Sequence, residues 1–130
     1  MIDDILIVDD SSTARMITQR CMEIAGYQNA RFHEAANGIK ALQFISEHKV
    51  DLFIVDLNMP EMDGLTLLGR LRNDPKYKET PVLVISSLLN EEKESGLKEL
   101  GVFAVLTKPI SPASVLKSMQ KLSGDTNWGS

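Results

Sequence analysis

The sequence is poor in the residues and segments that mark several classes of protein. Cys21 is the single cysteine among 130 residues, so no disulfide can form within the chain. We expect Cys21 to be a small buried helix residue, and so little cysteine is typical of a reducing, cytoplasmic protein. Residues 1–4 have neither a basic start nor a long apolar run, so we expect no signal peptide. No apolar run approaches the roughly 18 residues of a membrane helix, so we expect no membrane association.

Positive charge is scarce as well. Lys and Arg number 14 against 18 Asp and Glu, which gives a net charge of -4. Binding to nucleic acid needs a basic surface, so we predict no direct contact with DNA or RNA. His33 and His48 fall in different predicted elements, without the spacing of metal ligands. The remaining composition, 43% apolar and 25% charged, is ordinary for one globular domain.

Five apolar runs alternate with five helical patterns. We predict strands at 5–8, 30–34, 52–55, 81–85 and 103–106. Runs that are apolar on both faces are typical of buried parallel strands, and parallel strands need crossover helices between them. The pattern therefore predicts an α/β fold with a doubly wound, five-stranded parallel sheet and five helices.

Residues with capping or turn chemistry mark the helix ends. Ser11 offers a capping hydroxyl, Asn37 begins a turn, and Asp63 and Asn90 are expected N-caps. Gly26 is expected to close the first helix.

Apolar spacing predicts the buried face of the first helix. Composition divides the chain into a domain and a C-terminal segment. Ile17, Cys21 and Ile24 follow at helical spacing. The last helix is expected to run from 112 to about 122. We predict one domain over 1–122, followed at 123–130 by a polar, Gly/Ser-rich segment that reads as a flexible tail, a linker remnant or residues added for expression.

Polar residues follow four of the predicted strands. Asp9 and Asp10 follow the first strand, Asp56 the third, Ser86 the fourth and Lys108 the fifth. The carboxyl ends of parallel strands share one edge of the sheet, where such folds bind ligands. Each residue alone has an ordinary explanation as a loop, turn or cap residue. Their joint placement at one edge favours a single functional site.

The charges at this predicted site favour a metal-assisted phosphoryl transfer. Three neighbouring carboxylates repel one another unless cations lie between them. Lys108 supplies one positive charge, and an oxygen-only ligand set suits Mg²⁺ for the rest. An aspartate such as Asp56 can accept a phosphoryl group covalently. Lys108 and Mg²⁺ would neutralise the phosphoryl oxygens, and Ser86 could hydrogen-bond one of them.

At these residues the sequence resembles the receiver domain of two-component response regulators. The motifs are the segments 7–11, 55–64 and 107–109, with the run Asp56-Leu-Asn-Met-Pro-Glu-Met-Asp-Gly64 the most specific. The resemblance covers about Asp4 to Leu122 and is closest in format to single-domain, chemotaxis-type regulators. It implies a flavodoxin-like fold and a signalling module that catalyses only its own phosphorylation and dephosphorylation.

The resemblance also implies roles for the acidic residues. Asp56 would be the phosphoacceptor, taking its phosphoryl group from a sensor histidine kinase, a phosphotransfer protein or a small phosphodonor. Asp10, Asp56 and the main-chain carbonyl of Asn58 would bind Mg²⁺ directly, and Asp9 through a water molecule.

Further roles are implied for residues around the acidic cluster. Lys108 would pair with the phosphoryl group or with Asp56, and Ser86 would follow the phosphoryl group and move the loop after the fourth strand. Pro109 is expected to follow a cis peptide bond. Gly64 would permit the turn into the third helix.

Two positions depart from the usual receiver pattern. Val105 stands three residues before the lysine, where many receivers have a Tyr or Phe that rotates on phosphorylation. Phe103 lies two residues earlier and is expected on the same side of the strand. We hypothesise that Val102, Phe103 and Val105 form an apolar face at the fourth helix, fifth strand and fifth helix. That face would dock a downstream protein or a second copy, and the alternative is that the three residues only cover the core. Ser87 replaces a small apolar residue and is itself small, so phosphoryl access should survive.

Two other functions compete with a signalling role. An aspartate-nucleophile phosphatase also places an Asp after its first strand, but it needs a second acid where this chain has Ser11, and a substrate cap. A flavodoxin-like carrier could set a flavin phosphate at residues 11–13. Asp9 and Asp10 would repel that phosphate, and aromatic residues to sandwich a flavin are not evident.

Overall fold

Strands and helices alternate along the whole chain. The computed structural model describes residues 2–59, 62–87 and 91–127. The strands are β1 (Asp4–Val8), β2 (Arg31–Ala35), β3 (Leu52–Asp56), β4 (Val82–Ser86) and β5 (Ala104–Thr107). The helices are α1 (Ser12–Met22), α2 (Gly38–Ile45), α3 (Gly64–Arg72), α4 (Glu91–Glu99) and α5 (Pro112–Asn127). A π-helical turn at Glu23–Tyr27 continues α1.

All five strands are parallel and form one sheet in the order β2-β1-β3-β4-β5. The predicted doubly wound α/β fold is therefore confirmed. The chain runs outward from β1 to β2 and then returns to the other side of β1 to form β3. Strand order reverses between β1 and β3, and ligands of such sheets bind outside the carboxyl ends at that point.

Each face of the sheet carries one hydrophobic core. Phe53 and Val55 of β3 pack with Leu67 and Leu71 of α3, which we call the α3-side core. Leu52 and Ile54 point the other way and pack with residues of α1 and α5, the α5-side core. Every residue of β3 and of β4 is buried, because both faces of these central strands are covered. This burial explains why their sequences are continuous apolar runs rather than alternating ones.

The predicted caps are confirmed wherever the structure describes them. The side chain of Ser11 accepts a hydrogen bond from the N–H of Ala14 at 3.1 Å. Asp63 does the same at the start of α3, at 2.8 Å. Asn37, expected only to begin a turn, also caps α2, at 2.8 Å. Gly26 has a φ of 114°, a left-handed conformation suited to glycine, and it ends the helical run of α1. The expected cap at residue 90 lies outside the described residues.

The predicted buried face of α1 is wrong. Ile17 is 46% exposed and Ile24 is 61% exposed, whereas Thr18, Cys21 and Met22 are buried. Positions 18, 21 and 22 form an i, i+3, i+4 stripe, so the helix is rotated relative to the expected face. Cys21 is a buried apolar residue of the α5-side core, as expected.

The expected shared side of Phe103 and Val105 is also wrong. Val102 and Val105 pack against the α3-side core, whereas Phe103 packs against the α5-side core. Strand β5 begins at Ala104, so Phe103 precedes it, and the two-residue alternation does not extend back to that position.

Helix α5 extends beyond its predicted end. It continues to Asn127, five residues past Leu122, and its 16 residues make it the longest helix described. The stretch from 123 to 127 contains no proline that would stop a helix. The division into a domain at 1–122 and a tail at 123–130 stays a prediction. No helix in the described ranges is both long and apolar enough to cross a membrane.

Arg72, at the end of α3, forms hydrogen bonds with two loops, and these contacts were not predicted from the sequence. Its Nε donates to the carbonyl of Leu100 at 2.6 Å, and its Nη1 donates to the carbonyls of Tyr77 and Thr80 at 2.9 and 2.7 Å. One guanidinium therefore fixes both the loop that enters β4 and the loop that enters β5.

We expect Arg72→Met to lower the free energy of unfolding by about 2–3 kcal/mol, because partly buried carbonyls would lose a charged donor. Arg70→Met, on the same helix but exposed, is the control and should change stability little. Urea denaturation measures both variants. Equal effects would show that the bonds of Arg72 to the two loops do not stabilise the fold.

Candidate functional site

Three aspartates converge at the carboxyl edge of the sheet. Val8 of β1 lies opposite Val55 of β3 in the sheet register, so the next residues, Asp9 and Asp56, lie side by side. Asp9 is 3% exposed and Asp56 is 4% exposed, whereas Asp10 is exposed. One carboxylate oxygen from each of the three lies within 4.8 Å of the others. The predicted convergence of these residues is confirmed.

Lys108 joins this acidic cluster from the end of β5. Its Nζ donates to Oδ2 of Asp9 at 3.1 Å and to Oδ2 of Asp56 at 3.5 Å. Its backbone N–H donates to the carbonyl of Ser86 at 2.9 Å, which ties the ends of β4 and β5 together. The Lys108–Pro109 peptide bond is cis, as expected.

The two buried carboxylates are held in the same way. Oδ1 of Asp9 accepts a hydrogen bond from the N–H of Ser11 at 3.0 Å. Oδ1 of Asp56 accepts one from the N–H of Asn58 at 3.1 Å. In each residue Oδ1 faces a backbone donor two positions on, and Oδ2 faces Lys108. Local backbone geometry therefore fixes both side chains before any ligand binds.

Gly64 supports the end of β3, where Asp56 lies, for a reason other than the expected turn. A Cβ at this position would lie 2.7 Å from the carbonyl oxygen of Asp56 and 2.8 Å from Cα of Leu57, closer than atoms can approach. The Gly64 N–H also donates to the carbonyl of Leu57 at 3.1 Å. Only glycine lets the start of α3 pack this closely against the end of β3.

Comparison with known proteins identifies the family. Residues 5–120 match the model of the response regulator receiver domain. The chain belongs to that family. Chemotaxis protein CheY-3 of Vibrio cholerae is 34% identical over 118 residues, covering 91% of this chain and 89% of CheY-3.

Two further comparisons agree. The solved structure of chemotaxis protein CheY4 of Vibrio cholerae superposes with a TM-score of 0.82 at 31% identity, covering 93% of this chain and 98% of CheY4. A segment of the sensor histidine kinase CheAY of Helicobacter pylori is 33% identical to this chain over 126 residues. The match covers 93% of this chain and 15% of the kinase. The predicted flavodoxin-like receiver fold is therefore confirmed.

Membership of the family gives this receiver its broad function. Receiver domains are signalling modules of two-component systems and interact with histidine kinases or phosphotransfer proteins. The chain therefore acts in two-component signal transduction. A phosphatase with an aspartate nucleophile is not favoured, because Ser11 stands where that class needs its second acid, and the N–H of Ser11 binds Asp9.

The electrostatics of the receiver site are unbalanced. Burial raises the pKa of Asp56, and the charge of Asp9 raises it further. The Asn58 N–H and Lys108 lower this pKa, but the net shift is upward. Burial alone would lower the pKa of Lys108, but its contacts with Asp9 and Asp56 outweigh burial and raise it. One ammonium group thus contacts two of the three carboxylates in the cluster.

A hard divalent cation fits this arrangement. The ligand atoms offered by Asp9, Asp10 and Asp56 are all oxygens, and Mg²⁺ prefers a few carboxylates together with water. Among the side chains that the structure describes, which end at Leu122, no other group of three His, Cys, Asp or Glu lies close enough to hold a metal. His33 instead contacts the carboxylate of Asp4 at 3.0 Å.

The two serines at and after the end of β4 occupy different environments. Ser86 is fully buried at the end of β4, next to Ile85, which is paired with Asp56. Ser87 is exposed and, with Lys108 and Pro109, lines a groove of about 460 Å³ that α1 borders through Ile17. Apolar surface therefore opens directly beside the lysine.

Sequence reasoning missed Arg15, which contacts the acidic loop. Its Nη1 donates to the carbonyl oxygen of Asp9 at 2.6 Å, and its Nε donates to Oε1 of Glu34 at 2.6 Å. An arginine within a helix carries no signal of such a contact, because a solvated surface position is its commonest environment.

We expect Asp56→Asn to stabilise the metal-free protein at neutral pH. The folded state raises the pKa of Asp56 above 3.8, so this carboxyl costs stability as the pH rises from that value through its raised pKa. Asparagine removes the charge and keeps an oxygen to accept the Asn58 N–H. The stability gain should grow with pH and vanish below about pH 3.8.

Chemical denaturation at several pH values, without divalent ions, measures this effect. Asp3→Asn, which removes an exposed carboxylate, is the matched control. A loss of stability in Asp56→Asn at neutral pH would contradict the raised pKa.

Proposed function

We propose that Asp56 accepts a phosphoryl group, in a Mg²⁺-dependent reaction, from the phosphohistidine of a sensor histidine kinase or phosphotransfer protein. A small phosphodonor would serve as well. The observation that carries the proposal is the position of the Asp56 carboxylate, buried beside Asp9 and 3.5 Å from the Lys108 ammonium. The resemblance of this chain to a segment of a sensor histidine kinase supports a kinase as the donor.

The transfer step follows from the contacts of Asp56. A carboxylate oxygen of Asp56 forms a bond to phosphorus while the bond from phosphorus to the donor histidine nitrogen breaks, and the histidine keeps that electron pair. Lys108 lies where it neutralises the negative charge of the phosphoryl oxygens. Ser86, buried at the end of the neighbouring strand, donates its hydroxyl to one of those oxygens. The expected movement of the loop after β4 involves residues 88–90, which lie outside the described residues.

The hydrogen bonds of the buried aspartates favour particular metal ligands. Asp10, Asp56 and the carbonyl of Asn58 would hold Mg²⁺ directly. Lys108 lies closer to Oδ2 of Asp9, at 3.1 Å, than to Oδ2 of Asp56, at 3.5 Å, so a contact through water suits Asp9 better. Bound Mg²⁺ supplies positive charge for the phosphoryl oxygens.

The chemistry of this receiver is self-directed. Transfer ends on its own Asp56, and autodephosphorylation returns the carboxylate when water attacks the acyl phosphate. The phosphorylated and free forms then differ in partner binding, which is the signalling output.

We expect acetyl phosphate to label the wild-type protein only when Mg²⁺ is present and to leave Asp56→Asn unlabelled. Phosphate-affinity electrophoresis measures the labelled fraction. Asp63→Asn is the matched control, because asparagine keeps the cap of α3 and Asp63 is exposed, so this variant should be labelled like wild type. Equal labelling of Asp56→Asn, or labelling independent of Mg²⁺, would contradict the proposed chemistry.

The proposed output surface is formed by α4, β5 and α5. Strand β5 is an edge of the sheet, and Val105 on one side and Phe103 on the other are only partly buried. We propose that a downstream protein or a second copy of this chain covers these two apolar patches, which lie on opposite sides of β5. Val105 cannot rotate as an aromatic residue does. We therefore expect partner binding to depend on the two apolar patches rather than on rotation of a side chain.

We expect Phe103→Ala and Val105→Ala to reduce self-association of the phosphorylated protein, or its binding to its output partner. Sedimentation velocity with acetyl phosphate and Mg²⁺ measures self-association, and melting temperatures check that both variants fold. Ile39→Ala, which removes an exposed apolar residue from α2, is the control. No change in either property would reject this docking surface.

A further inference from the structure

We propose that Arg15 is a positioning residue that holds the Asp9–Asp10 loop in the conformation that binds the divalent cation. The inference rests on the proposed metal site. The Nη1 of Arg15 donates to the carbonyl oxygen of Asp9 at 2.6 Å. That carbonyl belongs to the peptide bond that joins Asp9 to Asp10. One hydrogen bond therefore fixes the peptide plane between two of the three carboxylates.

Arg15 is itself held from the opposite side. Its Nε donates to Oε1 of Glu34 on β2 at 2.6 Å, and its side chain is only 15% exposed. Glu34 is paired with Ile7 in the sheet register, so its backbone belongs to the rigid part of the fold. A planar guanidinium with two short bonds, to the Asp9 carbonyl and to the half-exposed Glu34 carboxylate, has little rotational freedom. The sheet thus sets the position of Arg15, and Arg15 sets the position of the loop.

Asp10 depends most on this support. The loop before it is tied to the sheet, since the N–H of Asp9 donates to the carbonyl of Ala35 at 3.1 Å. After it, Ser11 is the N-cap of α1. Asp10 is exposed, unlike Asp9 and Asp56, so core packing does not fix its direction. The bond from Arg15 to the carbonyl immediately before Asp10 restrains the backbone where packing does not.

Charge and positioning predict opposite effects when Arg15 is replaced. A positive charge near a cation site repels the cation. If Arg15 acted only through its charge, its replacement by a neutral residue would therefore strengthen Mg²⁺ binding. Loss of a residue that orients metal ligands weakens binding, typically by about 10- to 100-fold. The sign of the change in affinity therefore separates the two roles.

The test is isothermal titration of the full chain with Mg²⁺ for wild type, Arg15→Gln, Arg15→Lys and Arg20→Gln. We expect Arg15→Gln to bind Mg²⁺ about tenfold more weakly, and Arg15→Lys to lie between it and wild type. Arg20, on the same helix, is 77% exposed and 3.9 Å from Glu23, so Arg20→Gln should match wild type or bind slightly more tightly. The rate of labelling by acetyl phosphate should recover in Arg15→Gln at saturating Mg²⁺.

Each outcome decides a separate question. Unchanged or tighter Mg²⁺ binding by Arg15→Gln overturns the positioning role. Wild-type protein that does not bind Mg²⁺ overturns the proposed metal site instead. Melting temperatures show whether the variants fold; if Arg15→Gln does not, Arg15→Lys decides, and wild-type affinity in that variant overturns the role.

Discussion

The ammonium group of Lys108, held between the buried carboxylates of Asp9 and Asp56, is the interaction on which the site depends. It contacts both through Oδ2, at 3.1 and 3.5 Å. A single positive charge cannot neutralise these two and Asp10 as well. The core of the parallel sheet keeps the carboxylates close despite their repulsion, because β1 and β3 are neighbours and are fully covered. The site therefore retains negative charge that a divalent cation can balance.

The backbone, more than side-chain packing, gives this charged site its shape. Asp9 and Asp56 each accept a hydrogen bond from a backbone N–H two residues on, in loops that follow adjacent strands. Gly64 lets α3 begin in contact with the backbone of Asp56 and Leu57, so the start of α3 packs closely against the end of β3. The acidic side chains are consequently oriented before a ligand arrives, so binding costs little reorganisation.

The sequence was sufficient to predict the sheet and the convergence of the acidic residues. Both follow from short-range signals, namely apolar runs and the residue that ends each run, combined with the rule that parallel strands share an edge. The buried face of α1, and the placement of Phe103 and Val105 on one side of β5, were predicted wrongly. Ile17 and Phe103 show why: a rotation of the helix or the starting residue of a strand decides which face a side chain meets. Arg15 was missed because its partners come from two other segments.

The hydrogen bonds of Lys108 connect the acidic cluster to the ends of three strands. Its side chain contacts residues that follow β1 and end β3, and its N–H binds the carbonyl of Ser86 at the end of β4. A conformational switch requires contacts that differ between two states. A phosphoryl group on Asp56 would change the partners of the Lys108 ammonium while its backbone bond still joins β5 to β4. The proposed chemistry at Asp56 would thus be coupled, through Lys108, to β5 at the edge of the sheet.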